Sequence, residues 1–133
     1  MSEVTTLLKN YSHGQRDFSG MSLTDANLSH ADLKGADLSY SELSNIDLSQ
    51  ANLRGADLSY ATLSQVDLHD ADLRGAMLIG TDLRDAKLQD ANLKDADYIP
   101  GSTHFPTEFD PQRAQMSAIK LQANTFKQTN TSS

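Results

Sequence analysis

The chain has 133 residues, enough for one domain, with 11 basic and 18 acidic side chains, a formal net charge of −7 and no cysteine. That charge argues against direct nucleic-acid binding, which needs a cationic face, and the missing cysteines exclude a disulfide framework or a thiolate site. Four Phe, four Tyr and no Trp leave the core to small and aliphatic side chains, and no apolar run approaches the roughly 18 residues of a membrane span.

The first segment, residues 1–15, opens MSEVTTLLKN. It carries an acid early and lacks the apolar stretch of a secretory signal, so the expected setting is cytoplasmic. Val4, Leu7, Leu8 and Tyr11 fall at i, i+3, i+4 and i+7, the spacing of an amphipathic helix, and Gly14 closes it.

From residue 16 to 100 a period of five takes over. Leu stands at 23, 28, 33, 38 and every fifth residue to 93, with Phe18 and Tyr98 extending the series to seventeen positions. Two residues before them lies Ala in eleven cases, the exceptions being Arg16, Met21, Ser41, Ile46, Val66 and Thr81. Between the two lies Asp, Asn or Glu in thirteen of seventeen units. On an α-helix a five-residue period spreads leucines around every side, and on a straight strand it alternates them between faces. A core forms only if each pentad is a short extended piece followed by a corner, so that the chain coils.

A longer echo counts the corners. GADLSY occurs at 35–40 and again at 55–60, and ADLKG, ANLRG and ADLRG follow one another at intervals of twenty. Like residues therefore stack on like at four pentads per coil. The sequence here resembles the pentapeptide-repeat family, over residues 16–100 and without an insertion. The resemblance implies an all-β solenoid, a right-handed quadrilateral β-helix, here of about four coils, and the flanking segments read as short α-helical caps at both ends. At the usual strand spacing, four coils make a rod about 20 Å long.

Open coil ends would expose leucines and unpaired backbone. Residues 101–123 read as the C-terminal cap: Phe105 and Phe109 precede Asp110-Pro111, an N-cap followed by proline at the first helical position. Met116, Ile119 and Ala123 would then face the open core. The polar stretch 124–133 reads as a disordered tail.

No catalytic, cofactor or metal site is expected. Most serines fall at outward repeat positions and His13, His30, His69 and His104 are scattered, so a nucleophilic triad lacks its geometry. His30 and His69 share a face but stand two coils apart, with Asp70 beside the second, too far for a ligand set. Three surface features remain. The acids form columns, Asp17, Asp37, Asp57 and Asp97 interrupted by Met77, and Asp47 and Asp67 ended by Lys87. Lys34, Arg54, Arg74 and Lys94 form a basic ladder, which either binds an anionic partner or pairs with Asp32 and Asp72. An apolar patch of Tyr40, Tyr60, Met77, Ile79 and Ile99 departs from the repeat chemistry, as a contact surface or a seat for the segment after Tyr98.

The expected function is a non-enzymatic interaction module presenting flat faces to an unidentified protein, without cofactor, membrane or direct nucleic-acid partner. The alternative comes from the resemblance: relatives that protect DNA gyrase imitate B-DNA, which makes a DNA-mimicking inhibitor or protector of a type II topoisomerase the rival reading. Gyrase-protecting relatives pair end to end through an open terminal coil. The C-terminal cap argues here for a monomer, or for a dimer through the Tyr60, Met77, Ile79 and Ile99 face.

Overall fold

A computed structural model describes residues 2–120. The helix α1 spans Glu3–Ser12, with Ser2 as N-cap accepting from the Thr5 amide at 3.1 Å. After His13 the chain turns at Gly14, whose φ of 101° is open to glycine. Leu7 is buried, and Val4, Leu8 and Tyr11 pack against the first coil, so α1 closes that end as its spacing predicts. Tyr11 fixes the docking: its hydroxyl donates to the Lys34 carbonyl at 2.6 Å, and the Arg16 guanidinium lies 3.8 Å from its ring centroid.

The solenoid comes next. Three short strands, β1 (Ser22–Thr24), β2 (Glu42–Ser44) and β3 (Thr62–Ser64), pair in parallel with partners twenty residues apart. The other three sides are held by single bridges at the same interval, through Asp17, Asp37, Asp57, Met77 and Asp97, through Asn27, Asp47, Asp67 and Lys87, and through Asp32, Asn52, Asp72 and Asn92. These are the four faces that the echo of twenty requires. Around Leu48 the bonding is typical: its amide donates to Asp67 at 2.8 Å, the Gln50 amide to His69 at 3.0 Å, and the Asp67 amide back to Ile46 at 2.9 Å.

The corner is the second residue after each leucine. Its φ is positive at Gly20, Gly35, Gly55, Gly75 and Gly80, and also at His30, Tyr40, Gln50, Tyr60, Asp70 and Asp90. On three faces the amide three residues after the leucine closes a β-turn onto the leucine carbonyl, as from Ala51 to Leu48 at 3.1 Å. Inside, the leucines from Leu23 to Leu83, with Leu93, Phe18 and Tyr98, are buried, and Leu88 is half-buried. Where Ser41 and Thr81 replace alanine, their buried hydroxyls donate to the carbonyls of Leu38 and Leu58 at 2.6 and 2.7 Å.

Pairing continues past residue 100. A turn over Ile99–Thr103 shifts the register by two, so that Asp82 bridges His104 instead of residue 102. Thr103-His104-Phe105 then behaves as one more repeat: the buried Thr103 hydroxyl donates to the Leu78 carbonyl at 2.6 Å, as Thr81 does to Leu58. Phe105 packs edge-on against Tyr98 and stacks on Phe109, with centroids 5.5 and 5.0 Å apart.

The expected C-terminal helix is a single turn. Asp110 caps it, accepting from the Gln112 amide at 2.9 Å, and Ala114 donates to the Asp110 carbonyl at 3.2 Å. Gln115 then takes a positive φ of 60° and the chain leaves as β5 (Ser117–Ala118), parallel to β4 (Asp97–Tyr98). The last coil leaves open backbone groups at Ala96 and Tyr98, and the amides of Ser117 and Ile119 satisfy both at 2.8 Å. A longer helix would leave them unpaired. Met116 still packs against the core and Ile119 is half-buried. Ala123 and the tail 124–133 lie outside the described residues.

Candidate functional site

The acids at the second pentad position have a structural task. Oδ1 of Asp17, Asp37, Asp47, Asp57 and Asp67 each accepts from the amide two residues on, at 2.9–3.0 Å, and Asn27 does the same for Ser29. This bond braces the step out of the leucine position, a task suited to a short side chain with a carbonyl oxygen, although the bridges also form at Met77 and Lys87 without it. Asp17 is held below the ordinary carboxylate range by the Ser19 hydroxyl and then the Ser19 amide.

The serines beside these acids are not uniformly outward. Ser39, Ser49 and Ser59 are buried against the wall of the coil. Ser39 and Ser49 donate their hydroxyls to Asp37 and Asp47 at 2.6 Å, whereas the Ser59 hydroxyl has no partner among the described residues.

The four cations Lys34, Arg54, Arg74 and Lys94 do form one exposed column, beside Asp32, Asn52, Asp72 and Asn92. Arg74 grips Asp72 through both carboxylate oxygens, at 2.9 and 2.7 Å, and the guanidinium holds the Asp72 pKa down. Lys34, Arg54 and Lys94 make no ion pair among the described residues. Arg84, two faces further on, repeats the Arg74 geometry with Asp82.

His69 and His30 do not converge. His69 instead sits between Asp67, 2.8 Å from its Nδ1, and Asp70, 3.9 Å from its Nε2. The bond to Asp67 raises the imidazole pKa, and the His69 amide together with its ring lowers that of Asp67. Among the described residues no group of three or more His, Cys, Asp or Glu side chains is placed to hold a metal ion. A groove of about 390 Å³ beside Asp25, Asn45, Asp47 and Asp67 is open and polar.

The apolar residues fall on one face and the corner beyond it. Tyr40 and Tyr60 occupy successive corners with their rings stacked, centroids 5.2 Å apart and planes 18° from parallel. They are 66% and 51% exposed, and Met77 is 38% exposed, the three large apolar side chains left open to solvent among the described residues. Tyr60 in turn lies against Gly80, the corner of the next coil. Ile79 and Ile99 are half-buried, next to the Ile99–Thr103 turn. The turn after Tyr98 begins at Ile99, and the tyrosines stay exposed. Stacking at a fixed corner is implicit in the twenty-residue echo; the extra repeat at Thr103 is not, because two inserted residues hide it.

A four-faced coil with a leucine core and ladder-paired walls is a solenoid protein, the right-handed quadrilateral β-helix. The profile described as "Pentapeptide repeats (8 copies)" matches residues 17–39, 31–70 and 67–97, and the chain belongs to that family. A pentapeptide repeat protein of Nostoc PCC 7120 is 52% identical over 87% of this chain and 95% of its own, with a TM-score of 0.84. HetL, from the same cyanobacterium and involved in heterocyst differentiation regulation, is 36% identical over 73% of this chain and 47% of its own, with a TM-score of 0.43. A pentapeptide repeat protein of the Arabidopsis thaliana thylakoid lumen is 25% identical over 86% of this chain and 74% of its own, at 0.49. Comparison with curated protein sequences gave no match. No helix among the described residues is long and apolar enough to cross a membrane.

Proposed function

We propose that the protein is a non-enzymatic interaction module, and that its working surface is the corner and face carrying Tyr40, Tyr60, Met77, Ile79 and Ile99. The observation behind this reading is the exposed tyrosine stack. Two aromatic rings stand more than half open to solvent, and among the described residues Met77 alone joins them as an exposed large apolar side chain. Such rings are a common anchor in protein contacts, because they carry much area and few rotatable bonds. The core of the described coils is filled by leucine and the groove beside Asp47 and Asp67 is open, which supports a binding role over an enzymatic one.

The topoisomerase reading leans on the Asp17, Asp37 and Asp57 column. Met77 interrupts that column, its Oδ1 atoms are already engaged by backbone amides, and four cations line the neighbouring face. Supercoiling by DNA gyrase, with and without a quinolone, is expected to be unchanged by saturating protein.

The contact face is tested by placing a photocrosslinking residue at position 60 and, separately, at position 54 in the basic ladder. In extracts of the source organism a specific protein adduct is expected from position 60 and not from 54. Adducts from neither position, or from 54 alone, would overturn the reading.

A further inference from the structure

The tyrosine stack is directional. Tyr60 leans on the bare backbone of Gly80, and Tyr40 leans on Tyr60, so the stack runs towards the C-terminal coils. The next corner on the other side is Gly20, one coil before Tyr40 in the same column. Nothing lies within 4 Å of where a Gly20 side chain would begin. One ring face of Tyr40 therefore looks across an open rung.

The stretches of chain that build that rung and the coils beside it are anionic. No Lys, Arg or His occurs from residue 17 to 29, from 35 to 53 or from 55 to 68, while Asp17, Asp37, Glu42 and Asp57 lie on these stretches. Asp17 and Asp37 engage Oδ1 with the next serine, and no donor among the described residues reaches their Oδ2. Arg16, the cation nearest in sequence, is committed elsewhere: its Nη1 donates to the carbonyls of Tyr11 and Gln15 at 2.9 and 3.0 Å while the guanidinium covers Tyr11.

An aromatic face backed by a second ring, on a column and stretches of chain that carry carboxylates and no cation of their own, has the chemistry of a guanidinium seat. A guanidinium is planar, stacks on an aromatic face and donates in-plane to carboxylates, whereas an ammonium offers only its charge. Nucleotides are disfavoured because their phosphates would meet Asp17, Asp37 and Glu42. We propose that the outward ring face of Tyr40, over the Gly20 rung, seats an arginine side chain presented by the protein partner. This rests on the reading of the tyrosine face as a contact surface and names what the partner brings to it.

The test is an NMR titration of the full chain with an acetylated Gly-Arg-Gly-Arg-Gly amide. Shifts are expected at the Tyr40 ring and the Gly20 amide, with the arginine methylenes moved upfield by the ring current. The equally charged lysine peptide is expected to bind more weakly. Tyr40→Gln removes the ring but keeps a residue already found at this corner conformation, at Gln50 and Gln65 with φ of 57° and 54°. It is expected to weaken arginine-peptide binding by about two- to five-fold, the range for an exposed cation–π contact. Affinity unchanged in Tyr40→Gln, equal binding of the two peptides, or shifts confined to other faces would overturn the proposal. If position 60 still crosslinks to a partner while the peptide ignores Tyr40, the contact face stands and the arginine seat falls.

Discussion

A Cβ placed on Gly80 would stand 2.5 Å from Cδ1 of Tyr60, because the tyrosine ring uses the missing side chain as its floor. Gly55 has the same φ of 66° and nothing within 4 Å of its own Cβ position. Alanine at either site is strained by a left-handed backbone, about 1–2 kcal/mol. Only Gly80→Ala also pushes the ring away, with about 0.5–1.5 kcal/mol of aromatic pairing at stake. With no tryptophan in the chain, near-ultraviolet circular dichroism reports on its tyrosines. The expected result is a reduced tyrosine signal and lower melting temperature in Gly80→Ala, against a smaller melting shift with the signal kept in Gly55→Ala. Equal spectra would show that the stack does not depend on Gly80.

The buried serines make a second contrast. Ser49→Ala removes a 2.6 Å bond to the Asp47 carboxylate, at a cost of about 1–2 kcal/mol for a partly screened charged acceptor. Ser59→Ala removes a hydroxyl with no partner among the described residues and is expected to be neutral or slightly stabilising in urea unfolding. Ser59→Asp is expected to destabilise, because Ser59 is 7% exposed and a second carboxylate would sit beside Asp57. Leu58→Asp, at 1% exposure in the core, is expected not to fold. A cooperatively melting Leu58→Asp protein would contradict the leucine core itself.

The coil is legible in the sequence because its signal is redundant. Leucine at every fifth residue fixes the inward position, and GADLSY at an interval of twenty fixes the number of faces. Residues outside that redundancy are harder to read. Ser59 has polar neighbours in sequence and reads as exposed, yet the wall of the coil closes over this position on faces where coils stack on both sides. The helix expected after Asp110 is right at its cap and wrong in its length. Local propensity describes the first turn, but the open edge at Asp97–Tyr98 governs the path of the chain beyond it. Thr103-His104-Phe105 escapes detection because two added residues break the period; its threonine, matching Thr81, is the available clue. Composition picks out the patch residues, but the ring stack and the open Gly20 rung need coordinates.

His69 carries a pH prediction. Its pKa is raised from the ordinary 6.5, first by the hydrogen bond to Asp67 and then by the charges of Asp67, Asp70 and Asp47. A raised pKa means stabilisation that is full below the unfolded value and lost as pH rises through the folded one. Asp67 is lowered from 3.8, so its share is present above that value and lost as pH falls through the folded pKa. The pair is therefore strongest between about pH 4 and 6.5. Proton NMR titration of the His69 ring in Asp67→Asn is expected to show a pKa below that of the wild type. An unchanged His69 titration would mean that the ring is not held by Asp67 in solution.

The final prediction concerns the C-terminal end. Up to Gly101 the chain supplies Tyr98 but none of the groups that cover the last coil. Beyond it, His104 closes the bridge to Asp82, the Thr103 hydroxyl meets the Leu78 carbonyl, and β5 pairs with β4. Phe105, Phe109 and Met116 pack over the core at that end. Truncation after Gly101 would remove all of these and uncover aliphatic side chains and sheet edge together, the combination that drives strand-to-strand association. The full chain is expected to sediment as a monomer, since a patch of a few side chains falls short of the roughly 800 Å² per partner of a stable interface. The truncated chain is expected to associate or precipitate at the same concentration. Adding Phe105→Ser and Phe109→Ser to the full chain separates the two contributions: partial association would assign the cap to the aromatics, and a monomer would assign it to β5. A truncated protein that stays monomeric and soluble would show that residues beyond Gly101 do not cap the coil, and end-to-end pairing through the open coil would return as the expected assembly.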